Sequence, residues 1–498
     1  MHLDRHSGLL DRCLYVSRKF LHRKHRVILV ILVGSLLSLG LFSHIGQIGM
    51  TRNQLTAASS PTSSSMLAYT PLPAPTRICD TRPGNPSGLS GLAAQCNDKP
   101  LAYGTTLSVA MPSSVPSDAG AVVVNLTVTD PTTAGYLTVY PASSGSPPTV
   151  SNLNFNSGQT VANLATVGLG SYLGAPALDI YAGPSSASGS VDVIVDLEGY
   201  YAPPSTGVTG SYYPLSPARI LDTRCNENMS AQGCGGENLP SQNSSVPPPS
   251  PNSTITFYAT GVGGVPSSGV AAVVLDLTAV SLVTNPPGDY LTAYPAGQTR
   301  PTASNLNLEP GEILSNRVIV PVSSTGQVSV YNYSGDLQLV VDVSGWFANS
   351  SPSSTSGAYL SALSTPERFL DTRNSSPIQA GEERSLVVAG TGGVPSYAVA
   401  AVFNLTDIVT STNPQLFWPA NYLTVYPANL SSPPSISDVN YSTADPYNIV
   451  PNQVYATLGT GSGAGAIEIY NGPSDTTPPG PPANVIVDVF GYFVQPVG

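Results

Sequence analysis

Three copies of an Asp-Thr-Arg motif supply the charged residues of this chain that are best placed to do chemistry. They set a carboxylate and a cation two positions apart, at Asp80 and Arg82, at Asp222 and Arg224, and at Asp371 and Arg373. Side chains two positions apart lie on one side of an extended segment. Far downstream of each copy a further acid recurs in the closing Val-Asp-x-x-Gly motif: Asp196, Asp342 and Asp488. Because a buried carboxylate needs a partner, we predict that the motif arginines form structural ion pairs with these three acids.

The remaining residue types exclude several kinds of catalysis. All five histidines lie within the first 44 residues, so the rest of the chain has no imidazole for a Ser-His-Asp triad or a zinc site. Lys99 is the only lysine after residue 50. A glycosidase needs two acids in one cleft, and Glu198, Glu309 and Glu468 do not recur at equivalent positions. We therefore predict no catalytic, cofactor-binding or metal-binding residue.

The same ordered phrases occur three times along the chain. After Asp-Thr-Arg come Tyr-Leu-Thr-x-Tyr-Pro-Ala, then Ser-Asn-Leu-Asn or Ser-Asp-Val-Asn, then Val-Asp-x-x-Gly with two aromatic residues. A repeated unit of this length is a whole domain copied in tandem. We name the copies repeat 1 (residues 72–202), repeat 2 (211–348) and repeat 3 (358–495), which are joined by Ser/Pro/Thr-rich segments.

These motifs resemble a secreted cell-surface repeat domain of Gram-positive and related bacteria. The resemblance covers nearly all of residues 72–495 and includes Pro-Ala-Arg-Ile-Leu-Asp-Thr-Arg and Gly-x-Gly-Gly-Val-Pro. In that family the repeat often accompanies peptidase or peptidoglycan-hydrolase domains, and the repeat itself has no assigned activity. Repeat 3 departs from the pattern, because it reads Ser437-Asp438-Val439-Asn440 and has no cysteine.

The N-terminal part of the chain predicts a membrane anchor. Residues 1–26 carry seven basic and two acidic residues, and the apolar stretch over residues 27–48 is long enough to span a bilayer. The positive-inside rule places the N-terminus in the cytoplasm and the repeats outside the cell, or secreted if the anchor is cleaved. Residues 49–71 are rich in Ser, Thr and Pro and predict a stalk. The chain after residue 26 has 11 basic and 27 acidic residues, a net charge of −16 that disfavours binding to nucleic acid.

Four cysteines of the exported part form two local pairs. Cys79 and Cys96 flank the loop after the first Asp-Thr-Arg motif, and Cys225 and Cys234 lie in the equivalent loop of repeat 2. Two thiols without a histidine make a poor zinc site, whereas export favours oxidation. We predict disulfides Cys79–Cys96 and Cys225–Cys234.

Short β-branched and aromatic runs, separated by Pro, Gly, Ser and Asn, predict an all-β fold. In repeat 1, Val122, Val124, Leu126 and Val128 alternate with Val123, Asn125 and Thr127, as on the two faces of a strand. About eight such runs per repeat indicate three tandem β-sandwich modules of jelly-roll type, following one transmembrane helix. A propeller built from pieces of all three copies is the alternative.

Six motif tyrosines could stack on a ligand such as a sugar ring: Tyr136, Tyr140, Tyr290, Tyr294, Tyr422 and Tyr426. The competing interpretation is that alternating tyrosines form half-buried sheet surface. We expect a membrane-anchored, non-enzymatic extracellular protein for adhesion, envelope structure or binding of a cell-wall polysaccharide or an extracellular protein. The alternative is a carboxylate-dependent glycan-cleaving enzyme or its noncatalytic subunit.

Overall fold

Antiparallel strands make up most of the chain that the structure, a computed structural model, describes. The described residues are 66–142, 145–184, 188–204, 210–225, 239–281, 285–349, 357–409, 421–441, 449–472 and 480–496. The anchor and most of the stalk lie outside these ranges. Within them, no helix has the length and apolar character needed to cross a membrane.

Repeat 1 forms two sheets. Its strands are β1 (Ala68–Asp80), β2 (Leu101–Ala102), β3 (Thr106–Ala110), β4 (Ala121–Thr129), β5 (Gly135–Pro141), β6 (Leu153–Phe155), β7 (Val161–Gly168), β8 (Gly170–Tyr172), β9 (Ala175–Pro184) and β10 (Ser190–Ala202). One sheet has the order β1-β10-β4-β7, with β2 beside β10. The other has the order β3-β9-β5-β6, with β8 beside β9.

Repeat 2 forms sheets of orders β11-β18-β13-β16 and β12-β17-β14-β15. Its strands are β11 (Tyr212–Asp222), β12 (Ser253–Tyr258), β13 (Val270–Ser281), β14 (Asp289–Pro295), β15 (Leu306–Leu308), β16 (Ile313–Pro321), β17 (Gln327–Asn332) and β18 (Leu337–Ala348).

Repeat 3 has the same plan, with sheets β19-β26-β21-β24 and β20-β25-β22-β23. Its strands are β19 (Tyr359–Asp371), β20 (Glu383–Val387), β21 (Ala400–Val409), β22 (Asn421–Pro427), β23 (Val439–Tyr441), β24 (Ile449–Thr457), β25 (Ala466–Asn471) and β26 (Ala483–Val494). Short 3₁₀ turns cover Gly91–Cys96, Thr223–Cys225, Thr372–Asn374 and Gly461–Gly463.

The strand order confirms the all-β prediction and is of the jelly-roll kind. In each repeat the chain crosses repeatedly between the two sheets, and the first strand lies beside the last one. We call the sheets that contain β4, β13 and β21 the inner sheets, because one of their faces contacts the other repeats. The sheets that contain β5, β14 and β22 are the outer sheets.

The prediction of three separate sandwich modules needs correction. The described parts of all three repeats belong to one compact unit. One cluster of buried side chains takes members from all three repeats, among them Tyr201, Phe347 and Phe493. The three repeats, with six sheets in total, therefore pack together. A six-bladed propeller, the alternative arrangement, has the same number of sheets.

The pattern of β4 explains this packing. Val122, Val124 and Leu126 face the core between the two sheets of repeat 1. Ala121 and Val123, on the opposite face, belong to the cluster that the three repeats share. A strand that is apolar on both faces is covered on both faces, so the inner sheets cannot face water.

Candidate functional site

The Asp-Thr-Arg motif closes the end of the first strand of each repeat. In repeat 1, Arg82 donates to both carboxylate oxygens of Asp80, at 2.9 and 2.7 Å. Burial alone would raise the pKa of Asp80, but hydrogen bonds from Arg82 and Ser87 outweigh burial and lower the pKa. Thr81 donates to Asp192 at 2.8 Å, which ties the turn to the last strand. The same acid–arginine pair forms between Asp222 and Arg224 and between Asp371 and Arg373.

The acids of the last strand pair with a different arginine from the predicted one. Asp196 lies opposite Arg77 in the register of β1 and β10, and Arg77 donates to both its oxygens at 2.8 and 3.0 Å. Arg82 follows the end of β1 and lies on Asp80, so the structure does not form the predicted Arg82–Asp196 pair. The other repeats pair Arg219 with Asp342 and Arg368 with Asp488. Sequence reasoning missed Arg77, Arg219 and Arg368, although each stands in the same recurring motif.

Two of these last-strand acids also bind a neighbouring repeat. The backbone N–H of Ser151, in repeat 1, donates to Asp488 of repeat 3 at 3.0 Å. The N–H of Ser437, in repeat 3, donates to Asp342 of repeat 2 at 3.3 Å. Ser151 and Ser437 open the Ser-Asn-Leu-Asn and Ser-Asp-Val-Asn phrases, so these phrases join one repeat to the next.

Three equivalent asparagines link the repeats in a closed ring. Their side-chain oxygens accept backbone N–H groups of a different repeat: Asn163 from Gln453 (3.2 Å), Asn316 from Leu164 (3.1 Å) and Asn452 from Arg317 (2.9 Å). Their side-chain NH₂ groups donate across the same junctions: Asn163 to Asn404 (2.9 Å), Asn316 to Asn125 (3.2 Å) and Asn452 to Asp276 (2.7 Å). All three asparagines are buried, so every junction is fixed by the same set of polar contacts.

One junction of the three contains a buried arginine. Arg317, of which 1% is exposed, donates to Asp438 of repeat 3 and lies 3.7 Å from Asp276 of its own repeat. The positions equivalent to Arg317 are Leu164 and Gln453, so the other two junctions have no buried cation there. Burial raises the pKa of Asp276 to about 7, Arg317 opposes this shift, and Asp438 adds to it.

Aromatic residues of the last-strand motif meet where the repeats join. The ring of Phe347 lies 4.5 Å from that of Tyr69 and 5.1 Å from that of Tyr212, and Phe493 lies 4.5 Å from Tyr212. The motif glycine is needed because a tyrosine covers it. A Cβ atom on Gly345 would lie 2.4 Å from the ring of Tyr212. The motif therefore serves the packing of repeats against each other.

Two buried carboxyl groups have oxygens without a hydrogen-bond partner. Both oxygens of Asp407 and one of Glu198 are buried and unpaired. Asp407 lies on β21, after Phe403 and Leu405. The residues equivalent to Asp407 in repeats 1 and 2 are Val128 and Ala279. Burial raises the pKa of both carboxyl groups well above the usual range, and for Glu198 the nearby Asp196 adds to the effect. The two acids belong to different repeats, and each is enclosed by the structure.

The six motif tyrosines separate into two groups. Tyr140, Tyr294 and Tyr426 are 1%, 7% and 1% exposed, so the prediction that they stack on a ligand needs correction. Neighbouring side chains hold their hydroxyl groups, as Thr106 does for Tyr140 at 3.3 Å. The three remaining tyrosines are half-buried on the outward faces of the outer sheets: Tyr136, Tyr290 and Tyr422.

Each half-buried motif tyrosine lies beside a second tyrosine that sequence reasoning missed. Tyr136 lies 6.4 Å from Tyr181, Tyr290 lies 6.2 Å from Tyr331, and Tyr422 lies 6.5 Å from Tyr470. The second tyrosines stand on the strand that pairs with the motif strand, two positions apart in register. The recurrence of a tyrosine in β9, β17 and β25 was the available signal.

The predicted disulfide Cys79–Cys96 is confirmed. It joins β1 to the 3₁₀ turn that follows the first Asp-Thr-Arg motif, and both cysteines are buried. Cys234 lies outside the described residues, so the pairing of Cys225 with Cys234 stays a prediction. Over the described ranges, no group of three or more His, Cys, Asp or Glu side chains could hold a metal ion.

No protein-family model matches the chain, and no curated protein matches it in sequence. Among solved structures, the chain is similar to the N-terminal CBM22 tandem domain of Paenibacillus barcinonensis Xyn10C, at 9% identity over 57% of this chain and all of that one, with a TM-score of 0.18. It is also similar to an archaeal virus protein with a triple jelly-roll fold, at 10% identity over 86% of this chain and 90% of that one, with a TM-score of 0.15. These similarities are too low to bear on function.

Proposed function

We propose that the chain is a membrane-anchored extracellular protein that binds an envelope or extracellular polysaccharide or protein without changing it chemically. In this proposal residues 27–48 form a single-pass anchor and the three repeats lie outside the cell. The resemblance of the motifs to a secreted bacterial repeat supports the location, as does the net charge of −16 after residue 26.

One observation carries the non-enzymatic assignment. The recurring acids and arginines are engaged with each other: Asp80, Asp222 and Asp371 with the motif arginine, and Asp196, Asp342 and Asp488 with the upstream arginine. A catalytic acid or base must instead reach a substrate. The outward motif tyrosines Tyr136, Tyr290 and Tyr422 recur and stay partly accessible, and tyrosines bind ligands by stacking and through their hydroxyl groups.

A carboxylate-dependent glycan-cleaving enzyme is the second candidate. It would need two acids of different environment in one cleft. Asp407 and Glu198 both have pKa values raised by burial, whereas such an enzyme needs one protonated and one ionised carboxyl group, and the two acids are buried in different repeats. This arrangement favours the binding protein.

The test is to incubate the full chain with purified cell walls and with insoluble polysaccharides. The proposal expects the protein to sediment with at least one of these materials and to release no soluble sugar or peptide from it. The full chain is required because the repeats share a buried core. Release of soluble product would establish the enzyme instead, and failure to sediment with any material would remove the binding function.

A further inference from the structure

The outward face of the repeat 2 outer sheet differs from its two counterparts at one position. Tyr333 stands two residues after Tyr331, where repeats 1 and 3 have Gly183 and Gly472. The backbone hydrogen bond at this position is equivalent in repeats 2 and 3. The backbone N–H of Tyr333 donates to the carbonyl of Tyr290 at 3.1 Å, and the backbone N–H of Gly472 donates to the carbonyl of Tyr422 at 2.8 Å. Repeat 2 therefore carries an additional ring on an otherwise repeated sheet.

The additional ring changes how the motif tyrosine lies. In repeat 1 the ring of Tyr136 packs directly on Gly183. A Cβ atom on Gly183 would lie 2.0 Å from that ring, so the position has no room for a side chain. In repeat 2 that space holds a side chain, and Tyr290 stacks on Tyr333 with ring centroids 4.7 Å apart and planes 16° from parallel. Tyr333 is 48% exposed, so the stack presents an aromatic surface to solvent.

Polar donors border this stack. Arg300 is exposed, and its guanidinium lies 3.6 Å above the ring of Tyr331, the tyrosine paired with Tyr290. The hydroxyl of Tyr331 donates to Asn252 at 2.8 Å. An exposed aromatic stack beside a guanidinium matches a sugar ring, whose C–H face stacks on aromatics and whose hydroxyl groups accept hydrogen bonds.

Charge selects among sugar polymers. The outward positions of β12 and β17 opposite each other are Thr254 with Tyr331 and Thr256 with Ser329, without a carboxylate. The equivalent pairs of β20 and β25 include Glu383 and Glu468. Arg300 disfavours a polycation at the repeat 2 face, and the net charge of −16 after residue 26 disfavours a polyanion. An uncharged polysaccharide is disfavoured by neither of these charges.

We propose that the stacked Tyr290 and Tyr333, with Arg300 at their edge, form a binding site for an uncharged polysaccharide on the outer sheet of repeat 2. This inference rests on the proposed binding function and assigns it a place and a ligand class. The other two outer sheets, with glycine in place of Tyr333, lack this site.

Affinity electrophoresis of the full chain tests the site with polymers that share a backbone and differ in charge. The probes are hydroxyethylcellulose, carboxymethylcellulose and quaternised hydroxyethylcellulose, with dextran, galactomannan and laminarin as further uncharged chains. We expect retention by at least one uncharged polymer. Tyr333→Gly, which gives repeat 2 the residue of repeats 1 and 3, should weaken that retention about tenfold, the effect of losing one stacking contact.

Tyr172→Gly, which removes another exposed tyrosine ring in repeat 1, is the matched control and should leave retention unchanged, while Arg300→Gln should weaken it less than Tyr333→Gly. Unchanged retention of Tyr333→Gly would refute the site and leave the proposed function standing if the protein still sediments with cell walls. Tighter binding of either charged derivative, or retention by none of the uncharged polymers, would refute the ligand class. Sedimentation with no material at all would end both proposals.

Discussion

The junctions between the repeats and the outward faces of the outer sheets differ in how closely the three copies agree. At the junctions, Asn163, Asn316 and Asn452 make equivalent contacts. On the outward faces, the residue two positions before the second tyrosine of each pair differs between the copies. It is Asp179 in repeat 1, Ser329 in repeat 2 and Glu468 in repeat 3. The repeated motifs therefore reflect packing between copies, and the differences that lie on the outward faces mark where function can vary.

The same strand serves both regions. In repeat 2, Thr292 donates to the carbonyl of Ala303 at 2.7 Å and the side chain of Asn305 accepts the N–H of Ala293 at 2.8 Å, which shapes the segment that contacts repeat 1. Tyr290, on the same strand, faces outward. The recurring motif thus contributes both to the packing between repeats and to the outward face, and the copies differ at positions outside the motif, such as Tyr333.

The largest effect is expected from opening the shared aromatic core. Phe347→Ala removes a ring packed against Tyr69, Tyr201 and Tyr212 and should lower the free energy of unfolding by about 3–5 kcal/mol. Urea unfolding of the full chain measures this, and we expect the repeats to unfold together. Tyr333→Ala, at an exposed ring, is the control, with a change within about 0.5 kcal/mol. A Phe347→Ala protein as stable as the parent would contradict the shared core.

The junction that contains Arg317 can be given the uncharged side chains of its counterparts. Arg317→Leu leaves Asp276 and Asp438 buried without their cation and should cost about 3–5 kcal/mol. The triple variant with Asp276→Asn and Asp438→Asn has the side chains that repeat 1 carries at Asn125, Asn152 and Leu164. It should recover most of the stability in urea unfolding. If the triple variant is as unstable as Arg317→Leu alone, the junctions are not equivalent.

The same carboxyl group predicts the pH dependence of stability. The pKa of Asp276 is raised to about 7 in the folded protein, mainly by burial, so the folded state holds a proton that the unfolded state releases near pH 4. The stabilisation is therefore complete below the unfolded pKa and is lost as the pH rises towards 7. Asp438, Asp407 and Glu198, whose pKa values are also raised by burial, act in the same direction.

Thermal unfolding at pH 5 and pH 7 checks this expectation. The melting temperature should be higher at pH 5, by an amount that corresponds to a few kcal/mol. Asp276→Asn, the residue type of the other two junctions, should reduce the difference between the two pH values. A melting temperature that rises from pH 5 to pH 7 would show that the buried carboxyl groups are ionised in the folded state.

Much of the fold follows from the sequence, because period-two alternation and turn residues locate the strands. The packing of the repeats against one another is less evident in the sequence. Val123 and Tyr201 are apolar on the strand face opposite the repeat core, which indicates a second covered face. That pattern says nothing about which surface covers it, since the contact is made by residues far apart in the chain.

The pairing of charges was predictable in kind and not in partner. That Asp196 is buried and needs a cation follows from its apolar neighbours. The segment around Asp-Thr-Arg, however, offers two arginines, Arg77 and Arg82, and the sequence does not say which of them pairs with Asp196. The choice depends on register: Arg77 lies opposite Asp196 across β1 and β10, and this register includes irregular steps that alternation cannot forecast. The role of Tyr333 was likewise hidden, because it arises from a departure from the repeat and not from the motif itself.

The smallest expected effect distinguishes the two arginines of one motif. Arg368 pairs with Asp488, which is fully buried, so Arg368→Ala should cost about 3 kcal/mol by leaving a buried carboxylate unpaired. Arg373 is 45% exposed and its partner Asp371 is 18% exposed, so solvent screens the pair and Arg373→Ala should cost about 1 kcal/mol or less. Urea unfolding of both variants in the full chain compares them directly. Because the motif arginine itself was expected to hold the last-strand acid, a larger loss for Arg373→Ala would restore that original pairing, and equal losses would mean that burial does not decide the strength of these ion pairs.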